Sequence, residues 1–306
     1  MRSVAVAMIV SLISAPALAD AESCKSPRLA DIGWSDVRMT TAVTAEILRS
    51  LGYQPKVMLL STDVTYEAMR AREIDIFLGS WVPGLEQASQ PYRDAGQIEA
   101  VRTNLTGAMA TLAVPAYTYD AGVRSFADLA ARRADFGGRI YGIEPGGAKP
   151  IEEVIRTNTN GLGSWTLVES SEAGMLAQVE RSMRRREPVV FYGWAPHPMN
   201  TRYDIRYLTG GEQIIGPDYG ASYVLTDVRT GYSAECPNVG QLLKNLDWTV
   251  DQENALMGLA QGDAMTAEQA AEAWMRSEPG WVARMLQGVT TLDGRPASAA
   301  ILAQAP

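Results

Sequence analysis

The stretch Ile74–Trp81, IDIFLGSW, decides the fold. It is an apolar run of strand length that closes on Gly79-Ser80-Trp81, and two similar runs precede it: LADIGW at Leu29–Trp34 and PKVMLL at Pro55–Leu60. Helical signals lie between them. After a cap at Ser35 or Asp36, apolar Val37, Val43, Ile47, Leu48 and Leu51 share one helical face before Gly52 ends the run. A shorter helix is expected around VTYEAMRARE, residues 64–73. Strand, helix, strand, helix, strand make two βαβ units, and crossover helices imply a parallel sheet, so the fold class is α/β.

Further along, LTGAMATLAVPA (105–116) is extended and SFADLAARR (125–133) is a helix opened by Ser125. RIYGIEP (139–145) is a strand that meets Gly146-Gly147 ahead of a helix with Pro150 at its start. The helix SEAGMLAQVERSMRRRE (171–187) ends on Arg184-Arg185-Arg186, which complement its dipole, and delivers the chain to VVFYGW at Val189–Trp194. Residues 113–211 thus read as a second α/β lobe inserted into a first made of 20–112 and 212–306. Two crossings between lobes make a hinge that can close like jaws. TVDQENALMGLA and TAEQAAEAWMRS are helices of the C-terminal third, and Trp165, Trp248, Trp274 and Trp281 read as packing.

Trp34, Trp81 and Trp194 differ from these, because each ends a strand-like run within two residues of a glycine. Ligands in open α/β sheets sit outside the carboxyl ends of the strands. Gly33, Gly79 and Gly193 are expected to let backbone approach closely there. Three indoles in that setting form an aromatic cage, the recurring device for holding a quaternary ammonium group. Core packing is the alternative for any one tryptophan, since large aromatics are mostly buried; the shared setting of three favours a cage for a small organic cation.

Residues 1–19, MRSVAVAMIVSLISAPALA, combine a basic Arg2, an apolar stretch and an A-L-A ending, which predicts a secretory signal peptide cleaved after Ala19. Removing it leaves 26 basic against 35 acidic side chains, an acidic balance that argues against nucleic acid or an anionic membrane as partner. Cys24 and Cys236 are the only cysteines. In an oxidising compartment the pair reads as a structural disulfide, with free thiols as the alternative, and no metal spacing is present.

ADIGWSDV (30–37), DIFLGSWVPG (75–84), LAVPAY, YGIEPG, ESSEAGMLAQV, FYGWAPHPMN (191–200), YLTGG, GPDYG and CPNVGQLLKNL (236–246) together carry a resemblance that spans almost the whole mature chain. The chain resembles the periplasmic substrate-binding proteins of choline and glycine-betaine ABC importers, the choline-binding branch most of all. The resemblance implies a two-lobed, type II-like periplasmic-binding-protein clamshell. It implies a monomer that delivers its ligand to a permease at the inner membrane, with neither cofactor nor metal. It places Trp34 and Trp81 on the first lobe, Trp194 on the second, and Asp36 of the GWxD motif beside the ligand. A carboxylate suits a cation that has no N–H to donate.

Two departures bear on which cation. Choline-binding relatives carry a fourth aromatic, a tyrosine, where this chain has Ala110, and an asparagine in the loop that reads EPGGAKP here, from Glu144 through Pro150. Ala110 and Gly147 therefore count with the ligand-binding positions but lack those groups. Tyr117, Tyr119, Tyr192 and Tyr219 are candidates to restore the wall, and Lys149 is a candidate partner for a ligand carboxylate, as in carnitine or betaine. A hydrolase of choline esters is the competing enzymatic reading. It is disfavoured because His197 is the sole histidine and no GxSxG or HExxH motif occurs. A chemosensory role would share the fold.

Overall fold

The computed structural model describes residues 20–260 and 265–298. The expected leader, 1–19, lies outside the described residues. Among the described residues there are nine strands: β1 (Arg28–Asp31), β2 (Lys56–Leu59), β3 (Ile76–Val82), β4 (Ile98–Pro115), β5 (Arg139–Tyr141), β6 (Thr166–Val168), β7 (Phe191–Ala195), β8 (Ile205–Tyr207) and β9 (Ala221–Arg229). They lie in the order β2-β1-β3-β9-β4-β7-β5-β6, with β8 added on β4. Helices α1 (Ser35–Ser50) and α2 (Thr62–Arg70) are the crossovers of the first unit.

Both expected parallel groups form: β1 pairs with β2 and β3, and β5 with β6 and β7. The sheet as a whole is mixed, which corrects the parallel expectation. β9 runs antiparallel to β3 and β4, and β4 antiparallel to β7 and β8. Crossover helices fix the sense only of the strands they join, and β4 and β9 are joined to the βαβ units in other ways. β4 pairs first with β9, then with β7 from Met109 to Ala113, then with β8. Irregular registers between Ala100 and Ala108 bend it from one half of the sheet into the other.

The apolar face read along α1 is the buried one, with Val37, Val43, Ile47, Leu48 and Leu51 at 1% exposure or less. A Cβ at Gly79 would collide with Val37, and one at Gly193 would press on Ala113 and Tyr207. These two glycines therefore serve helix and strand packing rather than close approach to a ligand. Gly33, at φ +87°, does occupy backbone space that suits glycine.

Ser125, Thr249 and Thr266 each close a capping box at a helix start. α1 does not follow that pattern. Its N-cap is Trp34, without a side-chain cap bond, and the Ser35 N–H goes instead to Glu172 from the other half of the chain, 2.9 Å away. Cys24 and Cys236 are joined, with Cα atoms 5.7 Å apart. The same tie is reinforced by Asp20, whose carboxylate accepts the Asn238 N–H at 2.7 Å at the start of the Pro237–Asn245 helix. Trp248, Trp274 and Trp281 pack on one another with ring centroids 4.5 to 5.1 Å apart, and Trp165 packs on Phe136, so all four are structural.

Candidate ligand site

Trp34 follows β1, Trp81 lies near the end of β3 and Trp194 lies in β7, and all three line one pocket between the two halves of the chain. Side chains two apart on a strand share a face. Tyr192 therefore stands beside Trp194 on β7, its ring centroid 6.0 Å away, and becomes a fourth aromatic wall. Ala110, opposite Trp194 in the β4–β7 ladder, and Gly147 also line the pocket, and Ile143, Pro150 and Ile215 add apolar surface. The space between these walls, open mouth included, is about 440 Å³.

Of the four tyrosines that could replace the missing wall, Tyr192 alone lines the pocket. Tyr117 donates its hydroxyl to the Glu187 carbonyl, Tyr119 stacks with Arg124, and Tyr219 is exposed. Burial pushes the Tyr192 phenol well above its ordinary pKa, so it remains a neutral O–H. Among the described residues the buried Trp194 indole N–H has no acceptor.

Behind the rings lies a carboxylate layer that the sequence did not reveal. Asp36 is not a pocket-lining residue: it is buried in the first turn of α1, where Oδ2 accepts the Trp81 indole N–H at 2.8 Å. This corrects its expected capping role, because its carboxylate bonds an indole and not the helix end. Burial drives its pKa up to about 6 despite the Trp81 bond. Glu144 accepts the Trp34 indole N–H from the opposite half, and burial raises its pKa too. Glu253, on the Val250–Leu259 helix that packs against α1, is buried and held well above the usual carboxylate range by burial and by Asp36.

Glu172 joins the halves. It receives the Ser35 N–H and hydroxyl from one side and the His197 ring from the other, with Nε2 3.0 Å from Oε1. His197 Nδ1 accepts the Met199 N–H at 2.9 Å, so the Nε2 atom carries the proton and donates it to Glu172. Burial alone would raise the Glu172 pKa, but these donors outweigh it and hold the carboxyl below its ordinary value. Ser35, Glu172 and His197 thus meet with the carboxylate in the middle. No ring nitrogen faces the serine hydroxyl, and the group is built to hold rather than to activate. Lys149 pairs with Asp63 at 3.6 Å and is not a pocket-lining residue; no lysine or arginine is. Among the described residues no group of three or more His, Cys, Asp or Glu could hold a metal.

Two α/β units clasping an aromatic pocket define the class of two-lobed substrate-binding proteins, which in ABC importers are extracytoplasmic. The chain belongs to the family described as the substrate-binding domain of the ABC-type glycine betaine transport system, which matches residues 27–277. It is 44% identical to an ABC-transporter choline binding protein solved in complex with choline, with a TM-score of 0.90 over 93% of this chain and 99% of that one. The TM-score falls to 0.84, over 92% and 99%, for a choline binding protein solved unliganded and semi-closed, also 44% identical. A glycine betaine/carnitine transport binding protein of Listeria monocytogenes is 33% identical over 131 residues, 43% of this chain and 42% of that protein.

Proposed function

We propose that this chain is the periplasmic receptor of an ABC importer and that it captures choline or a close quaternary ammonium analogue between lobes 20–112 with 212–306 and 113–211, then passes it to a membrane permease. The leader, its cleavage after Ala19 and a monomeric state belong to the same reading. One observation carries it: Trp34, Trp81, Tyr192 and Trp194 wall a single pocket whose lining contains no charged side chain. A tetraalkylammonium offers no N–H, so π faces are what can replace its lost hydration. A zwitterion such as carnitine or betaine would leave its carboxylate without a cationic partner, because no lysine or arginine lines the pocket. The test is thermal unfolding with choline, acetylcholine, glycine betaine and carnitine at equal concentration. Choline or acetylcholine should raise the midpoint most, and a larger shift with betaine would assign the site to zwitterions.

Binding should weaken in acid. Asp36, raised to about 6, faces Trp81 on β3, Glu172 and His197 from the other half, and Glu253 from the Val250–Leu259 helix. A bound cation favours the ionised form, so affinity is full above pH 6 and falls as pH drops through it. For the empty protein the sign is opposite: a buried carboxyl with a raised pKa contributes stability below its unfolded value, and that is lost as pH rises toward 6. Choline titrations between pH 5 and 8 should therefore show affinity and ligand-free stability moving in opposite directions over this window; parallel trends would remove Asp36 from the account.

Glu172 should govern retention. Glu172→Ala strips charged acceptors from Ser35 and His197 and takes on the order of 1.5 kcal/mol from the closed form, about tenfold in affinity. The loss should appear mainly as faster choline release in stopped-flow tryptophan fluorescence. An unchanged release rate would mean that the Ser35–Glu172 contact does not hold the lobes together.

A further inference from the structure

The floor of the pocket is a face of the sheet, and strand register fixes what stands on it. Residues paired across a ladder share a face, as do residues two apart on one strand. Trp81 on β3 pairs with Val224 on β9, Ser222 on β9 pairs with Ala108 on β4, and Ala110 on β4 pairs with Trp194 on β7. Indoles thus rise at both ends of this face, and its middle carries Ser222, Ala108 and Ala110. Ser222 lines the pocket one strand in from Trp81, the sole serine or threonine among the lining residues. Its neighbours across the strand are alanines, so no bulky side chain of β4 covers it.

The Ser222 hydroxyl is already committed as a donor. Its Oγ gives its proton to the Gly220 carbonyl at 2.7 Å in a buried bond. The backbone that aims this carbonyl is unusual, because Asp218, Tyr219 and Gly220 all take left-handed conformations, at φ 50°, 61° and 75°. Non-glycine residues pay a steric cost there and stay only where the surroundings hold them. Gly220 is pressed onto β4: a Cβ would run into the Ala110 carbonyl oxygen. The turn is therefore fixed, and the hydroxyl rotor with it. A serine hydroxyl has one proton and two lone pairs. With the proton given to Gly220, Ser222 offers the pocket an acceptor.

We propose that Ser222 recognises the end of the ligand remote from its ammonium group and accepts a hydrogen bond from an alcohol there. The ligand class is then a quaternary amino alcohol such as choline. A choline ether or ester brings only acceptor oxygens to Ser222, and a betaine carboxylate brings a charged one. A site that bonds a hydroxyl rejects the analogue lacking it, because its own polar group is left unpaired. This rests on the reading of the ligand as a quaternary ammonium ion: the rings hold the cation and Ser222 selects what is attached to it.

Calorimetric affinities for choline, ethyltrimethylammonium and O-methylcholine in wild type and Ser222→Ala test the proposal. Ethyltrimethylammonium lacks the oxygen, and O-methylcholine keeps the oxygen without its proton. Wild type should prefer choline to either by about fivefold, the scale of one neutral hydrogen bond. In Ser222→Ala the preference should fall below about twofold, through loss of choline affinity alone. Ser222→Cys, with a far weaker acceptor at the same place, gives the same readout if Ser222→Ala fails to fold. A wild type that binds O-methylcholine as well as choline, a preference that survives the substitution, or equal weakening of all three ligands would overturn the proposal and leave the cation reading standing. A wild-type protein that binds none of the three would overturn the cation reading and this proposal with it.

Discussion

Trp194→Ala is expected to weaken choline binding by about thirtyfold or more, since a desolvated cation–π face is worth ~2 kcal/mol or more and each ~1.4 kcal/mol is tenfold. Trp194 lines the pocket, and it also packs edge-on against His197 at 4.8 Å. Its loss therefore removes a wall and loosens the ring that supports Glu172. Trp194→Phe keeps a π face and should recover most of the affinity. Calorimetry on both variants, with thermal unfolding run in parallel to separate folding from binding, decides the matter; equal affinity in wild type and Trp194→Ala would return this residue to packing.

The double variant Cys24→Ser, Cys236→Ser should lose roughly 5 kcal/mol of unfolding free energy in the chain-entropy account of so long a closed loop. The bridge spans 212 residues and ties the start of the described chain to the Pro237–Asn245 helix. Asp20 would still hold that helix start through the Asn238 N–H, and Tyr53 would still donate to Asp20 at 3.0 Å. The segment should therefore stay docked while the unfolded state gains freedom. Choline affinity should be nearly unchanged, because the bridge lies outside the pocket. Denaturant unfolding checks the first point and calorimetry the second. A large loss of affinity with little loss of stability would make the bridge a part of the binding machinery.

Local chemistry made most of the elements legible. The apolar face of α1, the cap at Ser125, the two helices of the C-terminal third and the three strand-like runs ending in Trp34, Trp81 and Trp194 follow from periodicity and capping, which act over a few residues. The antiparallel return of β9 between β3 and β4 was not legible, because strand pairing across the chain leaves no local signal. The fourth wall was half visible: Tyr192 and Trp194 are two apart in VVFYGW, and strand alternation puts them on one face. Glu144 bonds Trp34 from 110 residues away, and Glu172 bonds Ser35 from 137. Acidic residues near helix starts are common on sequence alone, so nothing distinguished these until the fold brought them behind the rings.

A crystal structure of the protein with choline tests the cage most directly. The quaternary nitrogen should sit within about 6 Å of the ring centroids of Trp34, Trp81, Tyr192 and Trp194, with Asp36 and Glu144 still bonded to the Trp81 and Trp34 indole N–H groups. Choline bound outside this pocket, or seated in it with its ammonium turned away from the rings, would contradict it.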